Sequence, residues 1–187
     1  MRRHVANQAG EVLVAVTGGI AAYKVCQLVS RMAQADIGVS VMMTRAAREF
    51  VGPATFAALS GRPVASESFD PHWPLGPHIE LTRGIDLMVV APASADFLGK
   101  AAHGLADDLV STAYLARTCP IMVAPAMNHQ MWSQAAVQRN VARLRDDGVL
   151  FAEPAEGWQA CREQGSGRMA EPDELLTMIQ RLLSASR

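Results

Sequence analysis

Short apolar runs recur along the chain, each followed by a turn and then by a stretch whose apolar residues return every three or four positions. Residues 11–17 (EVLVAVT) form the first β-rich run, and Gly18-Gly19 turns it. The stretch 20–35 then places Val25, Leu28, Val29 and Met32 on one helical face. Residues 37–43 (IGVSVMM) predict a second strand. Residues 86–91 (DLMVVA) and 120–124 (PIMVA) are almost continuously apolar, which suits strands buried on both faces of a parallel sheet. Residues 149–152 predict the last strand. Helices are predicted over 45–60, 94–117 and 133–147. A final helix is predicted from Asp173 as its N-cap, with Leu175, Leu176 and Ile179 on one face. The segment 66–77, with Pro71, Pro74, Gly76 and Pro77, reads as a loop. The alternation predicts an α/β fold, a doubly wound parallel sheet of Rossmann-like form. In such sheets ligands sit beyond the carboxyl ends of the strands, and the polar motifs of this chain fall there.

The 187 residues are half hydrophobic, enough for one domain that buries roughly 70% of the surface its unfolded chain exposes. Residues 11–187 read as that domain and 1–10 as a disordered lead-in. Arg2, Arg3 and His4 precede an apolar stretch, but Glu11 and Gly18-Gly19 interrupt it, so it is not read as a signal peptide. No apolar run approaches the roughly 18 residues that a membrane span needs. A net charge of −1 without long blocks of one sign, and only 5% aromatics, argue against nucleic acid or an anionic membrane as main partner. Cys26, Cys119 and Cys161 are odd in number and include no Cys-x-x-Cys pair, which disfavours a disulfide framework or a zinc site. No metal is expected, and a reducing, cytoplasmic setting fits. Cys26 and Cys119 suit core packing.

Five segments carry candidate chemistry. Thr17-Gly18-Gly19-Ile20-Ala21-Ala22 occupies the first strand-to-helix turn. Free N–H groups at a helix start, approached over glycine, make an anion site; an ordinary tight turn explains the glycines equally well. The Walker spacing and the full dinucleotide fingerprint are absent. The second strand runs into Met43-Thr44-Arg45, where a ribose-binding acid would stand, so a nicotinamide site is disfavoured and the Thr44 hydroxyl suits a mononucleotide phosphate. In Ala91-Pro92-Ala93-Ser94-Ala95-Asp96, small residues let a flat ring lie against backbone, while Ser94 and Asp96 also fit plain helix caps. In Pro125-Ala126-Met127-Asn128-His129-Gln130-Met131-Trp132, Asn128 offers donor and acceptor groups between the apolar Met127, Met131 and Trp132; the alternative is a packed loop. His78, in Pro77-His78-Ile79-Glu80-Leu81-Thr82-Arg83, is either a base or a solvated loop histidine. The segment 159–172 sets Cys161 in a polar loop punctuated by Gly165 and Gly167, with Arg162 and Arg168 placed to favour a thiolate or attract an anion. It reads as a mobile loop that carries a thiol to a bound molecule, or as a surface turn with an incidental cysteine.

Together and in this order, the five segments resemble the flavin-dependent cysteine decarboxylase family, over about residues 11–172. The resemblance implies a flavoprotein sandwich with FMN as cofactor. Gly18, Gly19, Ile20 and Thr44 would hold its phosphate and ribityl chain, and Ser94, Ala95, Asp96, Ala126 and Met127 would line the flavin. His78 matches the family's catalytic histidine and Asn128 the residue that grips the substrate carboxylate. Met131 and Arg83 match substrate-pocket positions, and Cys161 matches the cysteine of a substrate-covering clamp. The implied reaction converts 4′-phosphopantothenoylcysteine to 4′-phosphopantetheine in coenzyme A biosynthesis. It runs through oxidation of the CH2–SH group to a thioaldehyde, loss of CO2 to an enethiolate, and reduction with a proton from Cys161. A peptidyl-cysteine decarboxylase and a non-catalytic regulatory flavoprotein are the alternatives. The resemblance further implies a homotrimer, in some members assembled into a dodecamer. Because the chain ends after its last helix, a separate phosphopantothenoylcysteine synthetase is the expected partner. Two positions depart from the family. Arg162-Glu163 stands where Gly-Asp commonly follows the cysteine, and Phe97 replaces a hydroxyl residue frequent in plant and animal relatives.

Overall fold

Six parallel strands form the centre of the molecule, which a computed structural model describes over residues 9–185. Residues 1–8 of the expected lead-in lie outside the described residues. Ala9 is already tied down, its N–H donating to the Asp36 carbonyl at 2.9 Å. The elements are β1 (Glu11–Val16), α1 (Ala22–Gln34), β2 (Gly38–Met43), α2 (Pro53–Ser60), β3 (Val64–Ala65), α3 (Pro77–Glu80), β4 (Leu87–Ala93), α4 (Ala95–His103), α5 (Leu109–Ala116) and β5 (Ile121–Pro125). They continue as α6 (His129–Ser133), α7 (Ala135–Asp146), β6 (Leu150–Phe151), β7 (Ala155–Trp158), β8 (Gln164–Arg168) and α8 (Pro172–Ala185).

The sheet order is β3-β2-β1-β4-β5-β6. The chain winds outward from β1 to β3, then crosses to the other side of β1 for β4. This is the expected doubly wound sheet, and the reversal between β1 and β4 leaves a crevice at the carboxyl ends of the strands. Alternate side chains enter opposite faces. Val12, Val14 and Val16 share one core with Val25 of α1, Phe56 of α2 and Ile179 of α8. Leu13 and Ala15 share the other with Leu98 of α4, Val110 of α5 and Leu144 of α7. Both faces are covered, which is why β4 is buried at every position. Cys26 and Cys119 each pack, half-buried, against one of these cores, and burial pushes both thiols above their ordinary pKa.

Some predicted helices are broken, each for a local reason. The stretch 45–60 splits into a short 3-10 turn over Ala46–Glu49 and α2, because Gly52 is extended ahead of Pro53. The stretch 94–117 splits at Gly104, which takes the left-handed conformation that ends α4 (φ 67°). The stretch 133–147 forms α7 unbroken, and the unpredicted α6 precedes it across an extended Gln134. The last helix begins at Pro172, so Asp173 lies in its first turn instead of capping it and is ion-paired with Arg31. Within the segment expected as loop, Pro77 opens α3. The antiparallel pair of β7 and β8 is absent from the sequence expectation altogether.

The restart after Gly104 depends on Asp108. Its carboxylate accepts the Ser111 N–H at 2.9 Å, the Ser111 hydroxyl accepts the Asp108 N–H at 3.1 Å, and Lys100 Nζ lies 3.0 Å away. Burial raises the Asp108 pKa, but the bond from Ser111 N–H and the Lys100 charge outweigh it and hold the carboxyl below its ordinary value. With the folded pKa below the unfolded one, this contribution is complete above about pH 4 and is lost as pH falls through the depressed value. Asp108→Ala is expected to cost about 1 kcal/mol at pH 7. Urea unfolding of both proteins at neutral and strongly acid pH checks this, with the difference closing in acid.

Candidate active site

The crevice at the strand ends is a cavity of about 490 Å³. Just before the residues that line it, Thr17 is only 1% exposed at the end of β1. The Thr17 hydroxyl donates to the Pro92 carbonyl at 2.6 Å and accepts the Ser94 N–H at 2.9 Å, which clamps β1 to β4 at the point where the winding reverses. Gly18, Gly19, Ile20 and Ala21 then line the cavity. A Cβ on Gly18 would lie 2.5 Å from Ala46 Cβ, so glycine is needed for this turn to pack against the residues after β2. No side chain caps α1, and its first turn holds no acidic residue. The Ala22 and Lys24 N–H groups donate to the Gly19 and Ala21 carbonyls, so it is the turn ahead of them, Gly18-Gly19-Ile20, that offers backbone to an anion, and it fits a phosphate.

Ser94 and Ala95 reach the cavity from the end of β4. The Ser94 hydroxyl accepts the Phe97 N–H at 3.2 Å and so also caps α4. From the end of β5 come Ala126, Met127, Asn128 and Met131. Asn128 caps α6: its Oδ1 accepts the Met131 N–H at 2.8 Å. The cap fixes the amide orientation and leaves the Nδ2 donors for a ligand. Trp132, expected as a wall of this site, packs against the α4–α5–α7 core.

The β7–β8 hairpin closes the cavity with Trp158, Gln159, Ala160 and Cys161 at its tip and Gly167 and Arg168 at its base. It is docked by backbone, the Met127 N–H donating to the Gly167 carbonyl at 3.0 Å. Cys161 is exposed, with Sγ 3.6 Å from Gln159 Oε1 and 3.9 Å from Glu163 Oε2. Arg162 has φ 66°, the left-handed region in which a side chain costs roughly 1–2 kcal/mol. That is the physical reason a glycine suits this position. A Cβ on Gly167 (φ 128°) would lie 2.4 Å from the Met127 carbonyl oxygen. Gly167→Ala is expected to cost about 2–4 kcal/mol through overpacking and backbone strain, lowering Tm by roughly 4–16 °C. Gly84, also left-handed but with nothing within 4 Å of a Cβ, is the control for strain alone. Thermal denaturation of both alanine variants measures the difference.

Of the residues singled out in the sequence, Gly18, Gly19, Ile20, Ser94, Ala95, Ala126, Met127, Asn128, Met131 and Cys161 come together around this cavity. Four others do not line it. Thr44 lies at the end of β2, where its hydroxyl accepts the Ala47 N–H at 3.2 Å. The Asp96 carboxylate is 71% exposed and paired with Lys100 at 3.2 Å. His78 lies on α3, which packs on α5, and Arg83 is exposed just beyond α3. The cavity is also lined by Arg168, which the sequence placed to attract an anion, and by Lys24 and Gln159, to which sequence reasoning gave no role. Lys24 and Arg168 meet on Glu171, at 2.6 and 3.1 Å, and the Lys24 contact holds the Glu171 carboxyl below its ordinary pKa. Helical spacing put Lys24 beside the glycine turn, but nothing in the sequence joined it to residue 171. Among the described residues no cluster of three or more His, Cys, Asp or Glu could hold a metal ion, and no helix is long and apolar enough to cross a membrane.

A family model described as Flavoprotein matches residues 2–184. The coenzyme A biosynthesis bifunctional protein CoaBC of Bacillus subtilis (strain 168) is 44% identical over 171 residues, covering 91% of this chain and 42% of that protein. The chain thus spans under half the length of this relative. Among solved structures, the FMN-dependent cysteine decarboxylase SpaF is 32% identical at a TM-score of 0.82, with 95% of this chain and 97% of that chain covered. A cysteine-to-serine mutant of PPC decarboxylase, complexed with pantothenoylaminoethenethiol, is 29% identical at a TM-score of 0.83, with 95% and 100% covered. A doubly wound α/β protein with a glycine turn and a thiol-bearing hairpin over one crevice is the class that fold and site define. The chain belongs to the flavoprotein family, alongside the FMN-dependent cysteine decarboxylases.

Proposed function

We propose that this chain binds FMN and decarboxylates 4′-phosphopantothenoylcysteine to 4′-phosphopantetheine, a step of coenzyme A biosynthesis. One observation carries the reading: the donor-only end of the Asn128 amide and the Cys161 thiol belong to the same cavity, beside an uncapped helix start. The bound flavin would supply the two-electron oxidation and reduction, which side chains cannot. The turn Gly18-Gly19-Ile20 would take its phosphate, and Ser94, Ala95, Ala126 and Met127 would flank the ring. The Asn128 Nδ2 group would donate to the substrate carboxylate and hold it over the ring, with Met131 as an apolar wall. Once the neighbouring carbon is oxidised to C=S, the electrons released by departing CO2 have an acceptor. Cys161 would then give its Sγ proton to the carbon that carried the carboxylate.

His78, as the base, and Arg83 lie outside the cavity of their own chain, which supports a working site between copies, in a homotrimer or in trimers assembled into a dodecamer. Light scattering of the purified protein tests the assembly. A phosphopantothenoylcysteine synthetase is the proposed functional partner and the cytoplasm the proposed setting. The deciding experiment records the visible spectrum of the protein, then CO2 and thiol products from 4′-phosphopantothenoylcysteine and from a peptide ending in cysteine. A flavin spectrum with CO2 and a saturated thiol from the first substrate is expected. No CO2 from it would overturn the assignment, and CO2 from the peptide alone would transfer it to peptidyl cysteine.

A further inference from the structure

Gln159 is one of the few buried polar residues among those described, 6% exposed, and it touches both halves of the site. Its Oε1 accepts the His129 N–H at 2.9 Å, at the start of α6 beside Asn128. The same oxygen faces the Cys161 thiol at 3.6 Å. Its Nε2 donates to the Ser166 carbonyl at 3.0 Å across the hairpin. Its backbone closes the tip, the Gln159 N–H donating to the Glu163 carbonyl at 2.8 Å and its own carbonyl accepting the Arg162 N–H at 2.9 Å. Each end of the amide is committed, so a flip would set Nε2 against the His129 N–H and Oε1 against the Ser166 carbonyl, losing both bonds. Toward the thiol it therefore presents only an acceptor.

We propose that Gln159 is the positioning residue for proton delivery by Cys161, holding the thiol as a donor in one direction over the cavity. The inference rests on the reading of Cys161 as the proton donor. An amide oxygen is uncharged, so it orients the S–H group without taking its proton. Sulfur hydrogen bonds are weak, so the thiol turns from Gln159 to the substrate carbon at little cost. Glu163 Oε2, the other acceptor near Sγ, is farther, at 3.9 Å, and itself accepts from Gln130 Nε2 at 2.7 Å. The one amide oxygen thus sets the thiol and the Asn128 loop in a common frame, so that the carboxylate grip and the proton source keep their relative positions.

The test is Gln159→Met, which keeps length and removes both polar ends, with Gln159→Asn as a milder second variant and Gly165→Ala as a control. A Cβ on Gly165 would meet His129 Cγ at 2.7 Å, so that control loosens hairpin docking while keeping both polar ends of the Gln159 side chain. Two readouts are taken on the flavin-loaded enzyme with 4′-phosphopantothenoylcysteine. The first is the ratio of saturated thiol to CO2. The second is the infrared S–H stretching band of Cys161, assigned by its loss in Cys161→Ser. The ratio is expected to fall at least ~10-fold in Gln159→Met and less in Gln159→Asn, with the band moving toward that of a free thiol. In Gly165→Ala, KM is expected to rise while ratio and band stay at parent values. A parent-like ratio and band in both Gln159 variants would overturn the proposal, as would an equal fall in Gly165→Ala. Those results would leave the decarboxylase assignment standing. The assignment fails separately if the parent releases no CO2, and the role of Cys161 on which the proposal rests fails if Cys161→Ser still forms the saturated thiol at the parent rate.

Discussion

Cys161→Ser is expected to release CO2 from 4′-phosphopantothenoylcysteine yet form almost no saturated product. Cys161 is exposed at the hairpin tip, so its replacement creates no cavity in the core and leaves stability unchanged. Serine keeps the shape and a polar hydrogen but is a far weaker acid than a thiol. Nothing in the carboxylate grip or the flavin-facing turns changes, so oxidation and CO2 loss proceed. What stops is the protonation that precedes the return of the hydride. Removing a positioned acid typically costs 10²–10⁴ in rate, so saturated thiol is expected to fall by on the order of 100-fold or more. Mass analysis of thiol products trapped by alkylation, beside CO2 counts, measures the split. A variant that forms saturated thiol at the parent rate would remove Cys161 from the reaction.

The strands around this chemistry were legible because burial on both faces removes polar alternation. The runs that became β1, β4 and β5 are apolar but for Glu11 at the start of β1, and they end in small residues and glycine where a ligand can approach. The hairpin was not legible for the opposite reason. Its strands read AEGW and QGSGR, carry no apolar alternation, and are held by docking on Met127 and the start of α6. Gln159 shares that difficulty. A glutamine two residues before a cysteine in a polar loop looks solvated, and only the tertiary contact with His129 buries it. The helix breaks were written in the sequence at Gly52-Pro53 and at Gly104 with Asp108, but periodicity that runs through both sides hides a single turn of broken helix. Asp96 shows the limit of a motif: its neighbours Ser94 and Ala95 line the cavity, while its own carboxylate turns to Lys100. His78 and Arg83 show another: the family resemblance singles out both, yet neither lines the cavity of the chain that carries them.

Asn128→Asp isolates the carboxylate grip from the fold. Asparagine and aspartate cap helices about equally well, so the Met131 N–H keeps its acceptor and α6 keeps its start. The exchange falls on the other end of the side chain, where two N–H donors become a second carboxylate oxygen. A substrate carboxylate brought there loses a charge-assisted hydrogen bond, worth about 1.5–3 kcal/mol, and meets a like charge within a partly enclosed cavity. The two effects act together, so kcat/KM is expected to fall by at least ~100-fold, which corresponds to about 2.7 kcal/mol. Flavin content and Tm are expected to match the parent, because neither the anion-binding turn nor the cap is altered. Acid restores part of the loss: protonating the introduced carboxylate removes the repulsion and returns a donor, so activity relative to the parent is expected to rise as pH falls toward the ordinary carboxyl range near 4. Steady-state kinetics of both proteins across pH measures this. A variant with a parent kcat/KM at neutral pH would place the substrate carboxylate away from Asn128, and the thiol at Cys161 would then need a different geometry to reach the carbon beside it.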